Sequence, residues 1–227
     1  MWLSEGFSDF SGLWYMQRIL KDNQKYFRQL KTWRDAIRAR HDAAPPIALG
    51  TRTRESDPGD YSTIVYEKGA WVLQMLRNMM MDLQTMSEDA FTATMQDFYL
   101  RYRGQTASTR DFQRVVEAHM GRPMGWFFDE WVYGTAMPTY VLSWRMDSTA
   151  HHAHVLHVRV RQQGVPPNFF MPVPLLIKFS DSSDVIIRVY VRGPVTEGEV
   201  AVPARPVRLE LNPLESVLAE VKQEGWR

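Results

Sequence analysis

Up to about residue 134 the apolar positions recur at helical spacing. Tyr26, Leu30, Trp33 and Ile37 are separated by four, three and four, and Phe91, Met95, Phe98 and Tyr102 repeat those intervals. Each set predicts one apolar stripe along an amphipathic helix. Ser87, followed by Glu88 and Asp89, reads as an N-cap with acids in the first turn, and Ser108 with Asp111 reads as a capping box. From Ala70 to Met81 the chain is apolar almost all round, which predicts a helix buried on most sides. Ala43 to Asp60 mixes prolines, glycines and charges and predicts a long irregular loop.

Beyond Gly134-Thr135-Ala136-Met137-Pro138 the period becomes two. Tyr140, Leu142, Trp144 and Met146 alternate with polar or smaller residues, as do Val185, Ile187, Val189 and Val191, and Val207, Leu209 and Leu211. Val173, Leu175, Ile177 and Phe179 alternate too, but Pro172 and Pro174 on the opposite face cannot donate to a ladder, so this strand should start at an edge. About six strands are expected, enough for a small antiparallel β-sandwich. The expected fold class is therefore multi-domain α + β, with helices over residues 1–137 and the sandwich over residues 138–227.

Composition narrows the chemistry. The chain has 227 residues, a formal net charge of +1 and no cysteine. Disulfides, thiolate nucleophiles and cysteine-built metal sites are excluded, and any metal would rest on His, Asp and Glu. So even a charge gives no field for nucleic acid, and none is expected as a partner. Arg34, Arg38, Arg40, Arg52 and Arg54 form a local basic excess, but Asp35, Asp42 and Glu55 interrupt it, as on a solvated face. No apolar run reaches the roughly 18 residues of a membrane-spanning helix. Met1-Trp2-Leu3-Ser4-Glu5-Gly6 has no basic flank before an apolar stretch and does not read as a signal peptide. The apolar pattern starts at once, as in a segment of a longer chain.

The six histidines include no H-E-x-x-H pair. His152 and His154 would share one face of a strand and could chelate zinc, but no acid stands near in sequence to complete the set, and a polar strand entrance is the plainer reading. G-x-S-x-G and glycine-rich phosphate loops are absent. Two segments are less generic. Trp2-Leu3-Ser4-Glu5-Gly6-Phe7 sets a carboxylate beside a glycine at a helix start, and Tyr66-Glu67-Lys68-Gly69-Ala70 opens the buried helix. Each alone has a structural explanation, Glu5 as a first-turn acid facing the helix dipole and Tyr66 as an amphipathic residue at a core margin.

Together with Trp126-Phe127-Phe128-Asp129-Glu130-Trp131-Val132-Tyr133-Gly134-Thr135-Ala136-Met137-Pro138, these segments resemble the aminopeptidase N (membrane alanyl aminopeptidase) family of gluzincin zinc metallopeptidases. The resemblance runs through most of the first 140 residues, and the strand-rich remainder is similar to the family's β-sandwich. It implies a thermolysin-like catalytic domain whose helical lobe is residues 1–137. Glu5 falls at the third zinc ligand and Tyr66 at the phenol that stabilises the oxyanion. Tyr61 matches a tyrosine near the site in some relatives. Ser4 stands where Asn is usual and Ala136 where Gly is usual. The H-E-x-x-H helix and the G-x-M-E-N strand should precede Met1. The implied protein is thus a zinc aminopeptidase acting on peptide N-termini, whose partners are the peptide substrate and the missing N-terminal part of its own chain. This segment alone is expected to be inactive and to hold no complete zinc site. The alternative is a non-catalytic relative serving as a binding or scaffolding module.

Overall fold

The computed structural model describes residues 1–55, 57–148, 154–180 and 183–226. They form an α + β protein that divides into two compact units, Met1–Ala136 and Met137–Arg227.

The first unit is helical. Helices α1 (Trp2–Arg18) and α2 (Asn23–Arg40) are followed by a 3-10 segment (Ile47–Glu55), a π-helical segment (Tyr61–Lys68) and α3 (Gly69–Met80). Then come α4 (Asp89–Tyr102), α5 (Thr109–Met120) and the short α6 (Gly125–Trp131). The expected stripe of α2 is realised in full, with Tyr26, Leu30, Trp33 and Ile37 all buried. On α4 only Phe91 and Phe98 of the four stripe residues are fully buried. Helix α3 is buried from Gly69 to Met79, as its all-round apolar pattern requires. Each large side chain so removed from water contributes about 1.5–3 kcal/mol.

Arg77, a buried cation of this core, is paired. Arg77 of α3 donates to Gln17 (2.6 Å) and Tyr26 (2.7 Å) and makes an ion pair with Glu88. Trp14 Nε1 donates to the other Glu88 oxygen at 3.1 Å. A buried cation without such partners would be strongly destabilising, so this network specifies how α1, α2 and α3 meet. The Ser108–Asp111 capping box is present. Ser87, by contrast, accepts from Asp89 N in the turn before α4, and the N-cap position itself is Glu88. The stretch from Ala43 to Asp60 is less irregular than its composition suggests. Thr53 Oγ1 caps back onto Gly50 O at 2.8 Å inside the 3-10 segment, and Arg40 clamps the buried Asp60 through both carboxylate oxygens, at 2.7 and 2.9 Å.

The second unit holds two sheets. Strands β1 (Thr139–Ser148), β2 (His154–Gln163), β5 (Val195–Val202) and β7 (Glu220–Gln223) lie in the order β5-β2-β1-β7. Strands β3 (Phe170–Lys178), β4 (Val185–Arg192) and β6 (Arg208–Leu211) lie in the order β4-β3-β6. Pairing is antiparallel except for β1 with β7, which is parallel. The four-residue β7 has no clear period-two signature, which is why the sequence pattern misses it. Strand β3 is internal, yet β6 pairs only with Leu175–Lys178; Pro172 and Pro174 pair with β4, and on the β6 side Pro174 O accepts from Asn212 N at 2.7 Å. The missing donors therefore cost few ladder bonds. Leu156, Val158 and Val160 of one sheet and Met171, Val173, Leu175 and Ile177 of the other are buried. Val207 is exposed, and β6 begins one residue after it. Of the histidine cluster, His154 opens β2; His151 and His152 lie outside the described residues.

Candidate active site

The site is built where α1 crosses the π-helical segment and the start of α3. Its geometry follows from two glycines. A Cβ on Gly6 would lie 2.8 Å from the Gly69 carbonyl carbon and 2.9 Å from its Cα, and a Cβ on Gly69 would lie 3.1 Å from Gly6 Cα. Backbone therefore touches backbone, closer than any side chain permits. Glu5 precedes one of these glycines, and Tyr66 stands three residues before the other, so the close approach brings their side chains to one place.

Local helix geometry adds Tyr61. In a π-helix the hydrogen bonds run between residues five apart, so positions that diverge around an α-helix come closer together. Tyr61 and Tyr66 have that separation, and their rings meet edge to face, 5.5 Å between centroids at 76°. The Tyr61 hydroxyl donates to Glu5 Oε1 at 3.4 Å. Tyr61 is buried, whereas Glu5 and Tyr66 are half-buried and accessible. The guanidinium of Arg54, from the 3-10 segment, lies 4.0 Å from the centre of the Tyr61 ring.

The electrostatics are acidic. Burial, followed by the charge of the Glu5 carboxylate and a hydrogen bond to it, pushes the Tyr66 phenol above its ordinary range, so it stays protonated at neutral pH. Asp9, one turn after Glu5 on α1, is raised by burial and then by Glu5. Burial, then the charge of Asp9, lifts Glu67 to about 7, and one of its carboxylate oxygens is buried without a hydrogen-bond partner. Lys68 does not neutralise these acids. It is buried, lowered to about 8 by desolvation, and donates to Gly134 O at 3.0 Å.

Glu5, Tyr61 and Tyr66 are thus brought together, and the histidines are not among them. Asp9, Glu67 and Arg54 also belong to this cluster, although the sequence pattern did not single them out as site residues. Asp9 had a signal in its spacing, four residues after Glu5 on one helix face. Arg54 had none, because its approach depends on the path of the 3-10 segment. Among the described residues no group of three or more His, Asp or Glu could hold a metal ion. Glu5 offers one accessible carboxylate, which suits a single position in a ligand set and does not by itself make a zinc site.

A half-buried carboxylate and a phenol thus meet at one helix crossing of the helical unit. Residues 1–131 match the Peptidase family M1 domain, and the chain belongs to that family. Its fold is similar to that of Legionella pneumophila aminopeptidase A, solved in complex with aspartic acid, with a TM-score of 0.63 at 16% sequence identity. That likeness covers 98% of this chain and 24% of the Legionella chain, so the sequence spans about a quarter of that protein's length. No curated protein matches the chain. No helix among the described residues is long and apolar enough to cross a membrane.

Proposed function

We propose that this chain is the C-terminal portion of a zinc aminopeptidase that hydrolyses N-terminal residues from peptides. In this reading residues 1–137 are the helical lobe of a thermolysin-like catalytic domain and residues 138–227 a β-sandwich. The observation that supports it most is the convergence of Glu5, Tyr61 and Tyr66, with Tyr61 donating to Glu5 at 3.4 Å and meeting the Tyr66 ring at 5.5 Å.

Glu5 would be one protein ligand of the zinc, and the remaining ligands would have to come from residues outside this sequence. When bound, zinc supplies Lewis acidity and an activated water. The chain's own contribution is positional. Tyr66 donates its phenolic hydrogen to the negative charge that develops on the carbonyl oxygen of the scissile bond. Its raised pKa keeps that hydrogen in place at neutral pH. Tyr61, held in the core, orients Glu5 through its hydroxyl. In this reading the segment alone would be inactive.

The test is Tyr66→Phe in the full-length protein. The donor acts chiefly in the transition state, so kcat should fall about 100-fold or more while KM changes little. An unchanged kcat would remove Tyr66 from the mechanism.

A further inference from the structure

We propose that Arg54 is a substrate-specificity residue that pairs with a carboxylate of the peptide, supplied by an acidic side chain next to the scissile bond or by the C-terminus of a short peptide. The proposal rests on the peptidase reading above and adds to it a preference among substrates.

Three observations carry it. First, Arg54 lies over an aromatic ring. Its guanidinium lies 4.0 Å from the centre of the Tyr61 ring. A ring face attracts the cation without consuming its five N–H donors, and Arg54 is exposed, so a bidentate acceptor can still reach them. Second, the two aspartates that follow it closely in sequence are already engaged. Asp60 accepts both of its bonds from Arg40, and Asp57 accepts from Gly59 N at 2.7 Å and lies 3.8 Å from Arg40. Among the described residues no carboxylate lies within ion-pair distance of Arg54. Third, the surroundings are otherwise acidic. Glu5 and Asp9 act on Tyr66, Asp9 acts on Glu67, and Lys68 donates to Gly134 O. Arg54 therefore gives a negative site one positive margin.

The spacing suits a peptide. The path runs 5.5 Å from the Tyr66 ring to the Tyr61 ring and 4.0 Å on to the guanidinium. Extended peptide covers about 3.3 Å per residue, so a carbonyl held by Tyr66 places a carboxylate one to three residues away within reach of Arg54. The buried Tyr61 platform restrains the arginine in advance, which lowers the ordering cost of the pair.

The experiment uses the full-length protein with four peptides, Ala-Asp-Ala and Ala-Asn-Ala, each as free acid and as C-terminal amide. Wild type should prefer the Asp peptides or the free acids in kcat/KM. Arg54→Ala should reduce that preference about tenfold, Arg54→Lys should retain part of it, and Arg54→Glu should invert it. Loss confined to the Asp/Asn ratio assigns the side chain as the carboxylate, and loss confined to the acid/amide ratio assigns the C-terminus. Equal effects of Arg54→Ala on all four peptides would overturn the proposal and leave Arg54 only a support for Tyr61. A wild type that cleaves the four peptides without charge preference contradicts this proposal alone. One that cleaves none contradicts the peptidase reading and this proposal with it.

Discussion

Replacing Gly6 by alanine should loosen the helix crossing on which the site is built. The new methyl would sit 2.8 and 2.9 Å from Gly69 C and Cα and 3.2 Å from Ala70 N. Carbon contacts settle at about 3.5–4.0 Å, so α1 and the start of α3 must separate by roughly 0.6–1 Å. The obstacle is backbone and cannot swing aside. Such overpacking costs about 1–3 kcal/mol, partly offset by the helix preference of alanine over glycine, about 1 kcal/mol. Gly12 is the internal control, since it lies on the same helix and a Cβ there meets nothing within 4 Å. Gly12→Ala should therefore stabilise by up to about 1 kcal/mol. Urea unfolding of both variants, followed by tryptophan fluorescence, isolates the packing term as the difference between them. The same separation would stretch the Tyr61–Glu5 hydrogen bond, already 3.4 Å, beyond useful length. If Gly6→Ala raises the midpoint as much as Gly12→Ala, the close-crossing explanation is wrong.

Two titrations of opposite sign are expected in stability against pH. Burial lowers Lys68 from 10.5 to about 8, so between those values the unfolded chain binds more protons and stability should rise with pH, by about 3 kcal/mol in order of magnitude; Lys68→Met should abolish the rise. Glu67 is raised from 4.5 to about 7, so its contribution should decline as pH climbs through that interval, and Glu67→Gln should flatten that limb. Calorimetric titration of this chain with zinc should find no tight stoichiometric site, because one carboxylate does not replace a three-ligand set. A submicromolar site that disappears in Glu5→Gln would contradict that.

Much of the helical unit is written in local patterns. The stripe of Tyr26, Leu30, Trp33 and Ile37 and the box of Ser108 and Asp111 are read correctly because the information lies within one or two turns. The all-round burial of α3 is legible for the same reason, but its charged member is not. Arg77 sits among apolar residues only because Gln17, Tyr26 and Glu88 reach it from elsewhere in the chain. The π-helical geometry of Tyr61–Lys68 has no periodic signature in eight residues, and the 3-10 turn around Gly50 was hidden in a stretch rich in loop-forming residues. The parallel β1–β7 pair joins segments far apart in sequence, where period says nothing about partner or direction. Glu5 and Tyr66 were visible through their motifs, each with a glycine close behind. Why those glycines are there becomes clear only in three dimensions, where one backbone rests on the other.

The most direct test of the account is to locate the metal. Crystals of the full-length protein grown with zinc, measured on both sides of the zinc absorption edge, should show an anomalous peak about 2 Å from a Glu5 carboxylate oxygen, with the Tyr66 hydroxyl facing the same cavity. Zinc bound elsewhere with Glu5 uncoordinated, or Tyr66 directed away from the metal, would contradict the assignment of both residues.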